Sequence, residues 1–168
     1  MLILKKKYSS RINNVTKINK NFILKSPGTF FYRGVYTFDP AELIKIEIRS
    51  LRRLESIKHF PSILSSPDST SFVMTNNGTV INKNSIPNDW MSQVSTIVEA
   101  LEKYRIIHRD IKTDNILVDK RGLISLIDFG WSMIDEEYYI SPRDFQHFDK
   151  KLIYNNEYAL YSVLESLT

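Results

Sequence analysis

The stretch His108-Arg109-Asp110-Ile111-Lys112-Thr113-Asp114-Asn115-Ile116-Leu117-Val118, with Asp128-Phe129-Gly130 beginning ten residues after it ends, decides how this chain is read. Lys112 stands two residues past Asp110, Asn115 five past it, and Asp128 thirteen past Asn115. The loop is polar and its flanks are apolar. Arg105 to His108 and Ile116 to Val118 have the character of short strands, and Leu123 to Ile127 adds another, joined to the second by the turn Asp119-Lys120-Arg121-Gly122. The chemistry-bearing side chains therefore fall in loops and at strand ends.

In order and spacing these residues resemble the catalytic loop and metal-binding motif of the protein kinase family. A lone tripeptide would carry little weight. Two triplets with a lysine and an asparagine at the right offsets carry much more. The resemblance implies an α+β, protein kinase-like two-lobed fold with a small antiparallel-sheet N-lobe and a truncated helical C-lobe. Residues 1–168 would form a single minimal domain, with the N-lobe to about 75, a hinge at about 75–78 and a reduced C-lobe from about 79. It also implies transfer of a phosphoryl group from ATP to a hydroxyl with magnesium as cofactor, chemistry that rests on positioning and charge. Asp110 would orient or deprotonate the acceptor, Lys112 would reach the transferring phosphate, and Asn115 and Asp128 would ligate magnesium through hard oxygens. Lysine at position 112 is typical of serine/threonine-directed members. His108 and Phe129 are expected to pack rather than react.

Upstream, Phe22-Ile23-Leu24-Lys25 looks like the family's third-strand motif, whose lysine holds the α and β phosphates. Glu47 stands where the paired helix glutamate is expected, with Glu42 as its competitor. Met74 falls at the gatekeeper position, before a hinge at Thr75 to Gly78 whose backbone, at Thr75 and Asn76, would bind adenine. Ser9 to Asn14, where a glycine-rich loop is expected, contains no glycine. Glycine lets backbone approach a phosphate closely, so a shortened turn is expected here, with Arg11, or a nearby lysine, meeting phosphate by charge. Downstream, Tyr139-Ile140-Ser141-Pro142-Arg143 looks like the end of an activation segment, with Arg143 replacing the usual glutamate. Asn156 to Leu164 resembles the start of the central helix that anchors the catalytic loop, with Asn156 replacing aspartate. Arg109 would either bind a phosphorylated segment around Tyr138, Tyr139 and Ser141 or hydrogen-bond locally.

The remaining sequence fits one compact unit. It has 168 residues, 42% hydrophobic, with no cysteine, which removes disulfides, thiolate nucleophiles and thiolate zinc sites. Leu2 to Leu4, Val15 to Ile18 and Phe22 to Leu24 read as antiparallel strands, and Ser71 to Met74 as another. Helical spacing predicts helices from Pro40 to about Lys58, from about Asn88 to Tyr104 and from Glu157 to Leu167. Residues 1 to 38 carry eight Lys or Arg and no acid, yet no stretch resembles a nucleic-acid module, so nucleic acid is not expected as a partner. No apolar run spans a membrane and the N-terminus lacks signal-peptide order, so a soluble, cytoplasmic protein is expected. The partners expected are ATP and an undefined hydroxyl-bearing acceptor. Two other readings remain open: a small-molecule or glycan kinase of the same fold, and an inactive kinase-like nucleotide-binding or interaction module.

Overall fold

A computed structural model describes residues 7–9, 13–28, 31–33, 36–137 and 149–168. In chain order its elements are β1 (Lys7–Ser9), β2 (Asn13–Lys17), β3 (Phe22–Pro27), β4 (Phe31–Arg33), β5 (Tyr36–Phe38), α1 (Pro40–Arg53), β6 (Ile63–Asp68), β7 (Ser71–Thr75) and β8 (Thr79–Val80). They continue with α2 (Trp90–Lys103), β9 (Ile106–Ile107), β10 (Ile116–Val118), β11 (Ile124–Leu126), β12 (Met133–Ile134), α3 (Lys150–Tyr154) and α4 (Asn156–Glu165).

A five-stranded antiparallel sheet, in the order β1-β2-β3-β7-β6, packs against α1. Below it, α2 and α4 pack together beside a small sheet ordered β11-β10-β8 and a β12-β9 pair. This is the expected two-part α+β arrangement. β3 lies at the centre of the large sheet, and its register sets Lys25 opposite Val15 on one side and Phe72 on the other. The predicted strand at residues 2 to 4 falls outside the described residues. The first described strand is β1, paired with β2 from Lys7↔Thr16 to Ser9↔Asn14.

α1 starts where its sequence says it should. The Asp39 carboxylate accepts the Ala41 amide at 2.8 Å and Pro40 occupies the first turn, where no amide is needed. Leu43, Ile44, Glu47, Ile48 and Leu51 are buried, a stripe at helical spacing. The helix ends at Arg53 rather than Lys58, because Ser56 takes a left-handed φ of +75° and the chain folds into turns. Those turns dock on the lower part: the Leu126 amide donates to His59 O at 3.0 Å and His59 Nδ1 donates to Ile124 O at 2.7 Å.

β6, which the sequence pattern did not suggest, runs through Ser65-Ser66-Pro67 as the sheet's edge, with two register irregularities. An edge tolerates proline and polar residues that would argue against a central strand. α2 is held to the β10–β11 turn by Gln93, whose Nε2 donates to Gly122 O at 2.8 Å while its Oε1 accepts the Ile124 amide at 2.8 Å. One continuous apolar core runs from Ile44, Leu51 and Phe72 through Phe60 and Phe129 to Val94, Ile97, Leu101, Ile116 and Leu160. Each fully buried large side chain in it contributes about 1.5–3 kcal/mol. No described helix is long and apolar enough to cross a membrane.

Candidate active site

Lys25 is the centre of the site. It points from β3 into the core, 3% exposed, and its Nζ meets Glu47 Oε2 of α1 at 2.5 Å and Asp128 Oδ1 at 2.6 Å. Glu42 is exposed and pairs with Lys45 instead, so Glu47 is the glutamate that faces the site. Burial opposes the Lys25 charge, but the facing carboxylates of Asp128 and Glu47 outweigh it and raise the pKa above the ordinary lysine value. Burial pushes the Glu47 carboxyl up to about 7, against the pull of Lys25. Burial also acts to raise Asp128, yet the Lys25 ammonium holds that carboxyl below its ordinary value. Lys25 and Asp128 are thus charged at neutral pH.

Asp128 adopts the left-handed region, with φ +68°, which few residues other than glycine, asparagine and aspartate enter readily. The 3-10 turn that follows, Phe129–Trp131, packs on α1, where a Cβ added at Gly130 would lie 3.4 Å from Leu43. Phe129 is fully buried, edge-on to Phe60 at 5.8 Å and to His108 at 4.6 Å. His108 also does more than pack. Its Nε2 donates to Ile127 O at 2.9 Å and its Nδ1 accepts the Asp110 amide at 3.3 Å, so one neutral imidazole ties the two motifs together.

The polar loop between β9 and β10 closes on itself. Lys112 Nζ lies 2.7 Å from Asp110 Oδ2, and Asn115 Nδ2 donates to Asp110 O at 2.8 Å and to Asp110 Oδ2 at 3.0 Å. Asn115, 5% exposed, therefore spends its amide nitrogen on Asp110 and keeps Oδ1 as an acceptor. The loop is suspended from α4: Asn156 Oδ1 accepts the His108 amide at 2.9 Å and Asn156 Nδ2 donates to Ile106 O at 2.7 Å. The first contact is the one expected of an amide in place of aspartate. The second needs a nitrogen and would be lost with a carboxylate. Arg109, buried with φ +67°, places its guanidinium 5.6 Å from the Tyr154 ring centroid.

The hinge differs from expectation in one respect. Met74 is buried at the end of β7 as expected, 5% exposed. The Thr75 amide is taken by Ser62 O at 3.0 Å, and the Asn76 amide by Asn21 O at 2.7 Å, so neither is left for a base. The Gly78 amide meets Asn76 Oδ1 at 3.4 Å. Among the described residues Asn77 keeps the hinge amide without a protein partner, a distinction that residue type alone cannot signal. Gly78 is required by close approach: its φ is +133°, and a Cβ there would stand 2.2 Å from Val118 O. Arg11, Tyr138, Tyr139, Ser141 and Arg143 lie outside the described residues.

The sheet over helices, the lysine–glutamate pair and the adjoining aspartate–asparagine loop define a protein kinase-like fold and site. The protein kinase domain family is matched over residues 57–145, more than half of the 168, and the chain belongs to that family. It is similar to the dual specificity protein kinase zak2 of Dictyostelium discoideum, at 46% identity over 50 residues, which is 28% of this chain and 8% of that protein. It is also similar to the Aurora kinase of Saccharomyces cerevisiae, at 42% over 50 residues, 30% of this chain and 14% of that one. The serine/threonine-protein kinase CBK1 of Pneumocystis carinii is 52% identical over 44 residues, 26% of this chain and 9% of its own. The matches thus span less than a sixth of each of these relatives. In fold, the crystal structure of monomeric WbdD matches 92% of this chain and 37% of its own, with a TM-score of 0.58 and 17% identity.

Proposed function

We propose that the chain is an ATP- and magnesium-dependent phosphotransferase acting on a hydroxyl acceptor, serine/threonine protein kinase-like. In this reading it is one minimal domain, with a sheet lobe to about 75, a hinge at 75–78 and a reduced helical lobe beyond it. The observation that carries the proposal is Lys25, buried and charged between Glu47 and Asp128, the latter 103 residues away in sequence. A purely structural core has little use for such a cluster beside an open loop of Asp110, Lys112 and Asn115, because burying charges is expensive.

The residues suit magnesium and a nucleotide. Asn115 Oδ1 and the Asp128 oxygen not engaged by Lys25 are hard donors, and among the described residues no set of three or more His, Cys, Asp or Glu forms a closed metal cage. Magnesium favours this kind of site, with few protein oxygens and the rest from phosphate and water. When bound, magnesium supplies charge neutralisation across the phosphate oxygens. Lys25 would hold the α and β phosphates, Met74 would back the adenine, and the hinge contact would come from the Asn77 amide together with the Thr75 carbonyl. In transfer, the acceptor oxygen bonds to the γ-phosphorus as the bond from that phosphorus to the bridging oxygen breaks, and ADP leaves with the electron pair. Asp110 takes the acceptor proton and Lys112 offsets charge on the moving phosphoryl group. Lys112 and the serine/threonine kinases among the relatives support an aliphatic hydroxyl.

The experiment is phosphate transfer from labelled ATP with magnesium to generic protein, peptide, sugar and small-alcohol acceptors, beside Asp110→Ala and Asp128→Ala. Loss of a positioned base costs on the order of 100- to 10,000-fold. Wild-type transfer no faster than Asp128→Ala, together with no magnesium-dependent nucleotide binding, would sink the enzyme reading. Nucleotide binding without transfer to any acceptor would favour the inert module, which the glycine-free sequence between Ser9 and Asn14 also favours.

A further inference from the structure

Behind the hinge lies a second concavity of about 950 Å³, lined by Thr75 to Thr79, the β2–β3 region, the α1–β6 connection and the β10–β11 turn. That is the size of a ligand site, roughly 300–1,000 Å³. Five cations line it from separate parts of the chain: Lys17, Lys20, Lys58, Lys120 and Arg121. Asp119 is the sole carboxylate in the lining, and it is already committed, accepting the Arg121 and Leu123 amides at 2.8 and 2.9 Å and pairing with Arg121 Nε at 3.3 Å. Among the described residues none of the four lysines makes an ion pair. Lys25, Glu47, Asp110, Lys112, Asn115 and Asp128 contribute nothing to this lining, which shares only the hinge, Thr75 to Gly78, with the proposed nucleotide site.

We propose that this cavity binds an acidic peptide segment, one carrying carboxylates or phosphates with apolar side chains between them. Charge complementarity selects the anion: several uncompensated cations around one concavity repel one another and focus a positive potential in it. The apolar part of the lining selects a peptide over a bare polyphosphate, since the partly exposed Pro87 and Leu123 offer contacts that only a ligand with apolar side chains would cover. Nucleic acid fits poorly. Binding single strands relies on aromatic side chains open to base stacking, and the one aromatic residue in the lining, Phe60, is 3% exposed. The proposal requires no phosphoryl transfer, so its failure and that of the catalytic reading are separate.

The test is fluorescence anisotropy of the whole chain with a labelled peptide alternating phosphoserine or glutamate with leucine. The same peptide with serine and glutamine is the neutral control, and tripolyphosphate and oligo-dT are competitors. Expected are binding to the acidic peptide alone, weakening with added salt, and a loss of about tenfold or more in Lys58→Glu/Lys120→Glu with Mg-ATP binding unchanged. Both lysines are exposed, so folding should survive, and thermal unfolding checks this. Lys103→Glu/Lys150→Glu, both exposed and outside the lining, controls for the same change in net charge. Absence of acidic-peptide binding, affinity equal in the lining double variant, an equal loss in Lys103→Glu/Lys150→Glu, or equally tight binding of oligo-dT or tripolyphosphate would overturn the proposal.

Discussion

Replacing Glu47 by glutamine tests the electrostatics of the buried cluster directly. Glu47 is fully buried, and its carboxyl is pushed up to about 7 from 4.5, chiefly by burial and despite Lys25. Between those values the folded state holds a proton that the unfolded state has released. Stability from this group is therefore full below pH 4.5 and is lost as pH rises through 7. At about 1.4 kcal/mol per unit, the difference is worth about 3 kcal/mol. Glutamine has nearly the same shape and never ionises, while Lys25 keeps its second partner, Asp128 at 2.6 Å. The stability of Glu47→Gln relative to wild type should therefore improve by about 2–3 kcal/mol between pH 5 and pH 8. Urea unfolding of both proteins at the two pH values measures it, and titrations common to both proteins cancel. A difference that stays constant within about 1 kcal/mol would refute the reasoning and mean that Glu47 is ionised throughout, with the ion pair outweighing burial.

Gly78→Ala should destabilise by at least about 1–3 kcal/mol, read by urea midpoint, because φ +133° and Val118 O at 2.2 Å from the new Cβ force the hinge off β10. Asn156→Asp keeps an acceptor for the His108 amide but sets a carboxylate oxygen against Ile106 O; a loss of about 1–3 kcal/mol is expected, and unchanged thermal stability would contradict the two-sided contact. His59 and His108 have pKa values lowered mainly by burial, so the unfolded chain takes up protons that the folded chain refuses. Stability should fall as pH drops below about 6.5, by up to about 1.4 kcal/mol per unit for each histidine. His108→Gln should lessen that slope when unfolding is followed from pH 7 to 5.

The polar loop between β9 and β10 was legible because its spacing is local. Asp110, Lys112 and Asn115 lie within six residues, and the structure closes them on one another. Lys25 and Glu47 were legible through the family pattern rather than through anything in their own neighbourhoods, and the sheet register with the buried face of α1 brings them together. What stayed hidden depends on partners distant in sequence. The Asn76 amide is spent on Asn21, 55 residues earlier, a pairing that nothing near Asn76 in the sequence signals. Ser65-Ser66-Pro67 reads as loop because edge strands relax the usual residue preferences. Gln93, an unremarkable helix-surface residue in sequence, braces the β10–β11 turn.

The docking of His59 on β11 constrains how the cleft above Asp110 can open. The upper sheet joins the lower helices through the covalent hinge at residues 76–78 and again through the Leu126–His59 and His59–Ile124 hydrogen bonds, inside one unbroken apolar core. α1 adds further ties: Arg53 donates to Tyr104 O at 3.3 Å and pairs with Asp135 at 2.6 Å, and the turn after Asp128 packs on the same helix. Sliding or twisting of one half against the other must break contacts at each of these places. Movement of Lys25 and Glu47 relative to Asp110 is thereby restrained from the hinge, from His59 and from α1 together.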